Sequence, residues 1–359
     1  MKKLKIEKKT KIYILAPSNS ATGGPECLHQ LGYNLKKIFN LKNIFMVYLP
    51  LNDSNPVHKN YRHYGLKNLR NITDNQNNIL IIPEHYSFLK FSLKFKKITK
   101  VIWWLSIDNY FAFKFRAENS KYLRSFIKIP FNLISSINRL INYNFGILTY
   151  HDYLKLFYSF INIGKQREIH QASFHLAQSY YAYNFLKEKL KNVKLLYDYQ
   201  NQKIIKNSKR NEIKKQNYIC YSHKSNSFLD LIRSQSKEKF IKLENLSSNQ
   251  IIKVFKKTKI YIDFGYHPGK DKMPREAVLF NNCVITNKKG SAKNNNDIPI
   301  KKSFKHDEKA RNICAIKSQI NKVLINYEKE IKKFKIYKKQ VLLEEEKFKY
   351  QVRKIFYKI

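Results

Sequence analysis

Short apolar runs alternate with longer amphipathic stretches along the whole chain, and this alternation predicts α/β domains built on parallel sheets. Ser179 follows one of these runs and is expected to cap a helix. The clearest helical stripe lies in residues 27–39, and a second helix is expected at 87–97. In the first half, the apolar runs read as buried strands at residues 12–16, 44–49, 79–83, 101–105 and 172–178.

A second set of the same elements follows residue 216. Strands are predicted at 217–221, 240–243, 260–264 and 283–286, and helices at 228–234, 251–257 and 273–280. The polar, basic stretch between the two sets reads as an interdomain linker. The expected organisation is a first domain at 1–199, a linker at 200–216, a second domain at 217–307 and one or two long C-terminal helices at 308–359.

The stretch 259–292 has the order strand, glycine loop, helix, strand. Such a loop suits a diphosphate, because glycines allow a close approach and a helix N-terminus offers unpaired N–H groups. Lys270 and Arg275 add positive charge, and Glu276 could accept hydrogen bonds from ribose hydroxyls. The other interpretation is an ordinary turn in which Arg275 and Glu276 form a solvated pair, and the spacing alone leaves both open.

The chain carries a formal net charge of +44, from 70 Lys and Arg against 26 Asp and Glu. One interpretation is a polyanionic partner such as nucleic acid. The other is codon usage, because the lysines are spread evenly, Asn, Ile, Tyr and Phe are abundant, and Gly and Pro number only 9 each. The second interpretation is favoured, so nucleic acid is not the expected partner.

Cysteine usage and hydropathy indicate a cytoplasmic protein. The 4 cysteines are far apart and form no C-x-x-C, which fits a reducing compartment. No signal peptide and no apolar run of spanning length is visible. No cysteine or histidine spacing typical of a metal site occurs either, so no metal is expected.

Polar residues directly after predicted strands are candidates for chemistry, because ligands of open α/β sheets bind beyond the carboxyl ends of the strands. Glu84 and His85 follow the third strand, and Asp108 follows the fourth. A carboxylate or imidazole there could act as the general base for an acceptor hydroxyl. The alternative for each is a helix cap or a satisfied loop group. The first glycine loop, at 17–26, is not G-x-G-x-x-G, which argues against a dehydrogenase.

The segment 116–160 mixes apolar residues with Lys and Arg. A basic amphipathic segment of this kind can lie on an anionic membrane. An ordinary helical insertion into the first domain is the favoured alternative.

The stretch 259–292 resembles the donor-binding half of GT-B glycosyltransferases, in particular a bacterial group with the core IDFG-HPGKD-PREA…VIT…GSA. The matching residues here are 262–265, 267–271, 274–277, 284–286 and 290–292. The segments HLAQSYYAYNFL and LLYDY, which end the expected first domain, resemble the same group.

The resemblance implies two Rossmann-like domains facing a cleft, with a C-terminal helix that returns to the first domain. It implies transfer of a sugar from a nucleotide-sugar to a hydroxyl acceptor, in surface polysaccharide or lipid-linked glycan synthesis, without a separate cofactor. The donor residues would be Gly265, His267, Gly269, Lys270, Arg275 and Glu276. Gly23 and Gly24 would contact the acceptor side, and the candidate catalytic residues are Glu26, His85 and Asp108.

Two other functions stay open. One is a non-catalytic relative that binds a nucleotide or glycan without turnover, and the other is a basic nucleic-acid-binding protein. The glycosyltransferase interpretation also implies that the protein could lie at the inner face of a membrane, where a lipid-linked acceptor would be.

Overall fold

The computed structural model describes residues 3–119, 162–210, 213–225 and 227–359, with residues 130, 132–134 and 136–137. The segment 116–160, with its alternative of membrane contact, lies mostly outside the described residues. The described chain forms two compact units. Unit 1 takes its residues from 3–118, 162–199 and 344–359, and unit 2 takes most of its residues from 200–343.

Unit 1 is built on a parallel sheet that has seven strands among the described residues, in the order β4-β3-β2-β5-β6-β7-β8. The apolar runs of the sequence form its centre, because parallel strands are covered on both faces and need apolar side chains at every position. The predicted strands of this half are confirmed. The bounds are β2 Ile12–Pro17, β3 Ile44–Leu49, β4 Lys67–Asn68, β5 Ile79–Pro83, β6 Thr99–Trp104, β7 Phe174–Ala177 and β8 Val193–Leu195.

Helices cover this sheet, and two of them differ from the predicted bounds. The first begins at Gly23, four residues before the predicted start, because Pro25 fits the first turn, where its missing N–H is not needed. The second ends at Ser92 and is shorter than expected. The Ser179 cap is confirmed, since its hydroxyl accepts a 3.1 Å hydrogen bond from the Ala182 N–H. The helices are α1 Gly23–Phe39, α2 Tyr86–Ser92, α3 Ile107–Glu118, α4 Arg167–His170 and α5 Tyr180–Lys187.

Unit 2 has its own parallel sheet, with five strands among the described residues in the order β10-β9-β11-β12-β13. The strands are β9 Gln216–Ser222, β10 Lys239–Leu243, β11 Thr258–Asp263, β12 Cys283–Asn287 and β13 Lys305–His306. The helices are α6 Gln202–Ser208, α7 Ser227–Ser234, α8 Ser248–Lys257, α9 Lys272–Leu279, α10 Ile313–Ile325, α11 Tyr327–Ile331 and α12 Lys335–Leu342.

The stretch 200–216, expected to be a linker, contains helix α6 and belongs to unit 2. Ile204 and Ile205 are only 8% exposed and join the core of this unit. Asn201 caps the helix by accepting a 2.8 Å hydrogen bond from the Lys203 N–H. Two buried isoleucines therefore outweigh the polar composition around them.

The C-terminal residues differ from the expected one or two long helices. They form α10, α11 and α12, followed by α13 Glu344–Ile355 and a short strand, β14 Phe356–Lys358. Helix α13 and strand β14 belong to unit 1, and β14 pairs in parallel with β1 Leu4–Ile6, a strand that the sequence did not predict. In the part of the chain that the structure describes, no helix combines the length and the apolar character needed to cross a membrane.

Candidate functional site

The loop 264–271 leaves the carboxyl end of β11 and leads into α9. Asp263, the last residue of β11, is 2% exposed and fixes the first turn of this loop. Its carboxylate accepts a 2.6 Å hydrogen bond from the Tyr261 hydroxyl and a 3.1 Å hydrogen bond from the Gly265 N–H. The loop therefore starts from a backbone that one buried carboxylate holds in place.

His267 lies inside the loop, between two aspartates. Its Nδ1 is 3.0 Å from Asp271 Oδ2, and its Nε2 is 3.7 Å from Asp263 Oδ1. Burial lowers the pKa of His267, but the two carboxylates outweigh this effect and raise it above the ordinary value. Burial alone would raise the pKa of Asp271. The neighbouring His267 and Lys224 outweigh this effect, so the pKa of Asp271 lies below its ordinary value. The ion pair of His267 and Asp271 therefore holds the loop together from within.

The same three side chains are close enough to be considered as metal ligands, a grouping that the sequence did not predict. One ligand atom each from Asp263, His267 and Asp271 lies within 4.8 Å of the others. However, the Asp263 carboxylate already accepts two hydrogen bonds, and the Lys224 ammonium is 3.6 Å from Asp271. These donors favour an ion-paired cluster over a bound divalent cation.

Arg275 is completely buried beneath the loop. Its guanidinium donates a 3.1 Å hydrogen bond to the Asp271 carbonyl and a 2.9 Å hydrogen bond to the Lys270 carbonyl. This placement differs from both sequence interpretations, since the guanidinium is neither solvated nor on the loop surface. Arg275 and His267 thus act on the loop itself. Lys270 is also buried, with 9% of its surface exposed, and Glu276 is half-buried.

The loop needs glycine at positions that the sequence pattern only partly indicated. A Cβ atom added to Gly265 would lie 2.6 Å from the Cβ of Lys224. Gly290, in the segment after β12, has a φ of +53°, and an added Cβ would lie 1.9 Å from the His267 carbonyl oxygen. Two other chain segments therefore pack directly against the loop backbone.

The carboxyl end of β12 and the segment after it also form hydrogen bonds with the loop. Ser291 donates its N–H to the His267 carbonyl at 2.9 Å and its hydroxyl to the Gly269 carbonyl. The Asn287 amide donates a 2.7 Å hydrogen bond to the Gly265 carbonyl. Sequence reasoning gave Asn287 and Ser291 no role, although Asn287 ends β12 and Ser291 lies in the segment that follows it, at the carboxyl end where ligands of such sheets bind.

In unit 1, the glycine pair begins helix α1, where the sequence predicted a loop. Gly23 is exposed and Gly24 is half-buried, and an added Cβ on Gly24 would lie 3.5 Å from a methyl group of Leu105. Glu26 is half-buried in the same first turn. These residues follow the carboxyl end of β2, as expected for an α/β sheet site.

Glu84 is a buried carboxylic acid at the carboxyl end of β5. It accepts a 3.0 Å hydrogen bond from the Leu105 N–H. Burial raises the pKa of Glu84 to about 7, although backbone N–H donors favour its ionised form. From the sequence, its neighbour His85 is the candidate catalytic residue instead, because a local sequence pattern does not show whether a single carboxyl group is buried.

His85 makes the contact of the alternative interpretation, a helix cap, and Asp108 lies inside a helix and not in a loop. His85 Nδ1 accepts a 3.3 Å hydrogen bond from the Ser87 N–H at the start of α2. Its ring lies 3.9 Å from that of Phe113, and burial lowers its pKa. Asp108 is buried in the first turn of α3 and accepts a 3.1 Å hydrogen bond from the Tyr181 hydroxyl.

No protein-family model matches the sequence, and no curated protein matches it. Solved structures do match the fold. Anabaena HepE in complex with UDP and glucose has a TM-score of 0.58 at 9% identity, over 96% of this chain and 98% of that chain. A glycosyltransferase from Rickettsia africae has a TM-score of 0.56 at 10% identity, over 97% of this chain and 98% of that chain.

The sucrose-phosphate synthase of Thermosynechococcus elongatus also matches, with a TM-score of 0.51 at 9% identity over 97% of this chain and 95% of that chain. These neighbours are glycosyltransferases, and together with the two parallel sheets they confirm the expected fold class, an α/β protein with two Rossmann-like units of the GT-B type. The narrower resemblance to one bacterial group stays a prediction.

Proposed function

We propose that this chain is a glycosyltransferase that moves a sugar from a nucleotide-sugar donor to a hydroxyl group of an acceptor. The observation that carries the proposal is the common fold over 96% of this chain and 98% of HepE, whose structure contains UDP and glucose. UDP is therefore the first nucleotide to test.

The donor would bind at the loop 264–271 and the N-terminus of α9. When the bond between the sugar and the diphosphate breaks, negative charge develops on the diphosphate. The N–H groups of the first turn of α9 and the Lys270 ammonium would stabilise this charge. His267 and Arg275 would act as positioning residues, because they are buried and hold the loop backbone on which that contact depends.

The acceptor would bind at the strand ends of unit 1, near Gly23 and Gly24. Its hydroxyl group must lose a proton as it attacks the sugar. Among the candidates Glu26, His85 and Asp108, we favour Glu26 as the base. Glu26 is half-buried at the start of α1, whereas Asp108 is buried and His85 caps a helix.

The finer parts of the proposal come from the resemblance. The acceptor would be a growing surface polysaccharide or a lipid-linked glycan, at the cytoplasmic face of the membrane. No separate cofactor and no metal ion would take part, because protein cations near the loop can stabilise the leaving diphosphate.

Thermal unfolding with UDP, GDP, ADP or CMP tests the donor site. A ligand at about 100 times its Kd stabilises the folded state by about 2.7 kcal/mol, which raises the melting temperature measurably. We expect a shift with UDP that is lost in Lys270→Ala. Lys301→Ala is the matched control, because Lys301 is an exposed lysine of the same unit outside the loop.

Turnover is then measured as UDP release from UDP-sugars, with and without glycan acceptors. UDP binding without release under any of these conditions would favour the non-catalytic relative. No shift with any nucleotide, together with a large shift with nucleic acid, would refute the glycosyltransferase proposal.

A further inference from the structure

A wide groove crosses unit 2 at the amino-terminal edge of its sheet. It has a volume of about 1020 Å³. Three of its lining residues fix its position: Lys215 precedes β9, Lys259 is the second residue of β11, and Asn281 precedes β12. The loop 264–271 follows the carboxyl end of β11, so the groove and the candidate donor loop lie at opposite edges of the same sheet.

The groove is strongly basic. Among its twenty lining residues in the described chain, nine are Lys or Arg, and one, Glu328, is acidic. Lys256 donates to the Arg210 carbonyl at 2.9 Å, and Lys259 donates to the Leu324 carbonyl at 3.0 Å. Because carbonyl oxygens are uncharged, these hydrogen bonds hold the ammonium groups at the groove without neutralising their positive charge. The groove is thus complementary to a surface with many negative charges.

Large apolar side chains are exposed in and beside this groove. Ile325, in its lining, is 79% exposed, and Ile336, on α12, is 70% exposed. Ile336 and Lys339 are exposed and lie three residues apart on α12, and exposed Leu343 directly follows the helix, so a lysine and apolar residues share one face. A dissolved polyanion would contact only the lysines, whereas an anionic bilayer also accepts the apolar side chains.

We propose that this groove and the adjoining face of α12 dock unit 2 on an anionic phospholipid membrane. The lysines contact the lipid phosphates, and Ile325 and Ile336 enter the interface between headgroups and acyl chains. The loop 264–271, at the other edge of the sheet, stays open to ligands. The proposal names a surface for the membrane location given under the proposed function, but it does not rest on the proposed activity. It uses residues other than the segment 116–160.

Sedimentation of the full chain with lipid vesicles tests the charge requirement. We expect binding to vesicles of phosphatidylglycerol and phosphatidylcholine in equal parts, and no binding to pure phosphatidylcholine. Lys329→Glu, Lys332→Glu and Lys335→Glu together should weaken binding at least about tenfold, because each lysine near an anionic surface contributes about 1 kcal/mol.

The matched control is a second triple variant, with the same change in net charge but outside the groove: Lys237→Glu, Lys301→Glu and Lys302→Glu, all exposed lysines of unit 2. It should bind within about twofold of the parent, because screening limits the effect of distant charges. Equal loss in both triple variants would overturn the proposal, because binding would then depend on total charge alone.

The isoleucines separate a membrane from a dissolved polyanion. Ile325→Ser with Ile336→Ser should lower vesicle binding at least about fivefold, because both apolar contacts are lost, and leave binding to inorganic polyphosphate unchanged. Parent-like vesicle binding by this variant would overturn the membrane proposal and favour a soluble phosphate polymer. Circular dichroism of each variant shows that it is folded before its binding is compared.

Discussion

Gly290 is the residue that most directly links the segment after β12 to the candidate donor loop. Its φ of +53° lies in the left-handed region, and its α-carbon packs against the His267 carbonyl. Gly65 has a similar φ of +57°, but an added Cβ there meets no atom within 4 Å. A side chain at Gly65 would bring only the cost of the left-handed backbone conformation. A side chain at Gly290 would bring the same cost and a steric clash as well.

Gly65→Ala should lower the free energy of unfolding by about 1–2 kcal/mol, the cost of a left-handed residue with a side chain. Gly290→Ala should lower it clearly more, because the added Cβ must displace the loop backbone. Urea unfolding of both variants measures the difference. Equal losses of unfolding free energy in the two variants would show that the loop backbone moves away from the added Cβ at little cost.

Glu84 should make unit 1 less stable as the pH rises. Its folded pKa of about 7 lies above the ordinary value, so the folded state holds the proton more tightly than the unfolded state. This contribution is complete below about pH 4 and is lost as the pH rises through about 7, with a total on the order of 3 kcal/mol.

Glu84→Gln removes this titration. The stability of the variant relative to the parent should therefore be higher near pH 8 than near pH 5, as measured by urea unfolding at about those two values. Comparing the two proteins at each pH cancels the other titrating groups. A difference that does not change with pH would show that Glu84 is ionised at both values.

At the scale of elements, helix α13 is part of the core of unit 1 although it follows unit 2 in the chain. Phe348 is fully buried, and its ring lies 5.2 Å from that of Tyr199 and 6.3 Å from that of Trp103. Tyr350, on the same helix, is 58% exposed. The helix is thus anchored through one face.

Phe348→Ala should lower the free energy of unfolding by about 3–5 kcal/mol, the cost of removing a buried aromatic ring. Tyr350→Ala should change it by less than about 0.5 kcal/mol, because the ring is mostly in solvent. Denaturant unfolding, followed by the fluorescence of the buried tryptophans of unit 1, checks both values. Similar small losses would mean that α13 contributes little to that core.

Across the whole molecule, the sequence predicts those strands and helices whose own residues carry a clear pattern of apolar and polar positions. The runs at 44–49 and 79–83 coincide with β3 and β5, because strands covered on both faces are continuously apolar. Strand β1 escaped prediction, since it is short and its partner, β14, lies about 350 residues away. Pairing over such a distance leaves no local signal.

The candidate site shows the same limit. The glycines and the resemblance located the loop 264–271, but the sequence could not show which charged side chains point into it. Arginine is usually exposed and histidine is intermediate in burial, yet Arg275 and His267 are both completely buried here. Carbonyls of the loop and two aspartates make that burial favourable, and these partners are known only from the three-dimensional fold.

Because α13 and β14 complete unit 1, the order of synthesis on the ribosome matters. The described strands β2 to β8 of unit 1 are translated first, but residues 344–359 follow only after unit 2. At about 5–20 residues per second, translation of residues 200–343 takes on the order of ten seconds. During that time Tyr199 and Trp103, whose rings later lie beside Phe348, lack this partner. The nascent chain therefore exposes an apolar surface that a chaperone can bind until α13 has been synthesised.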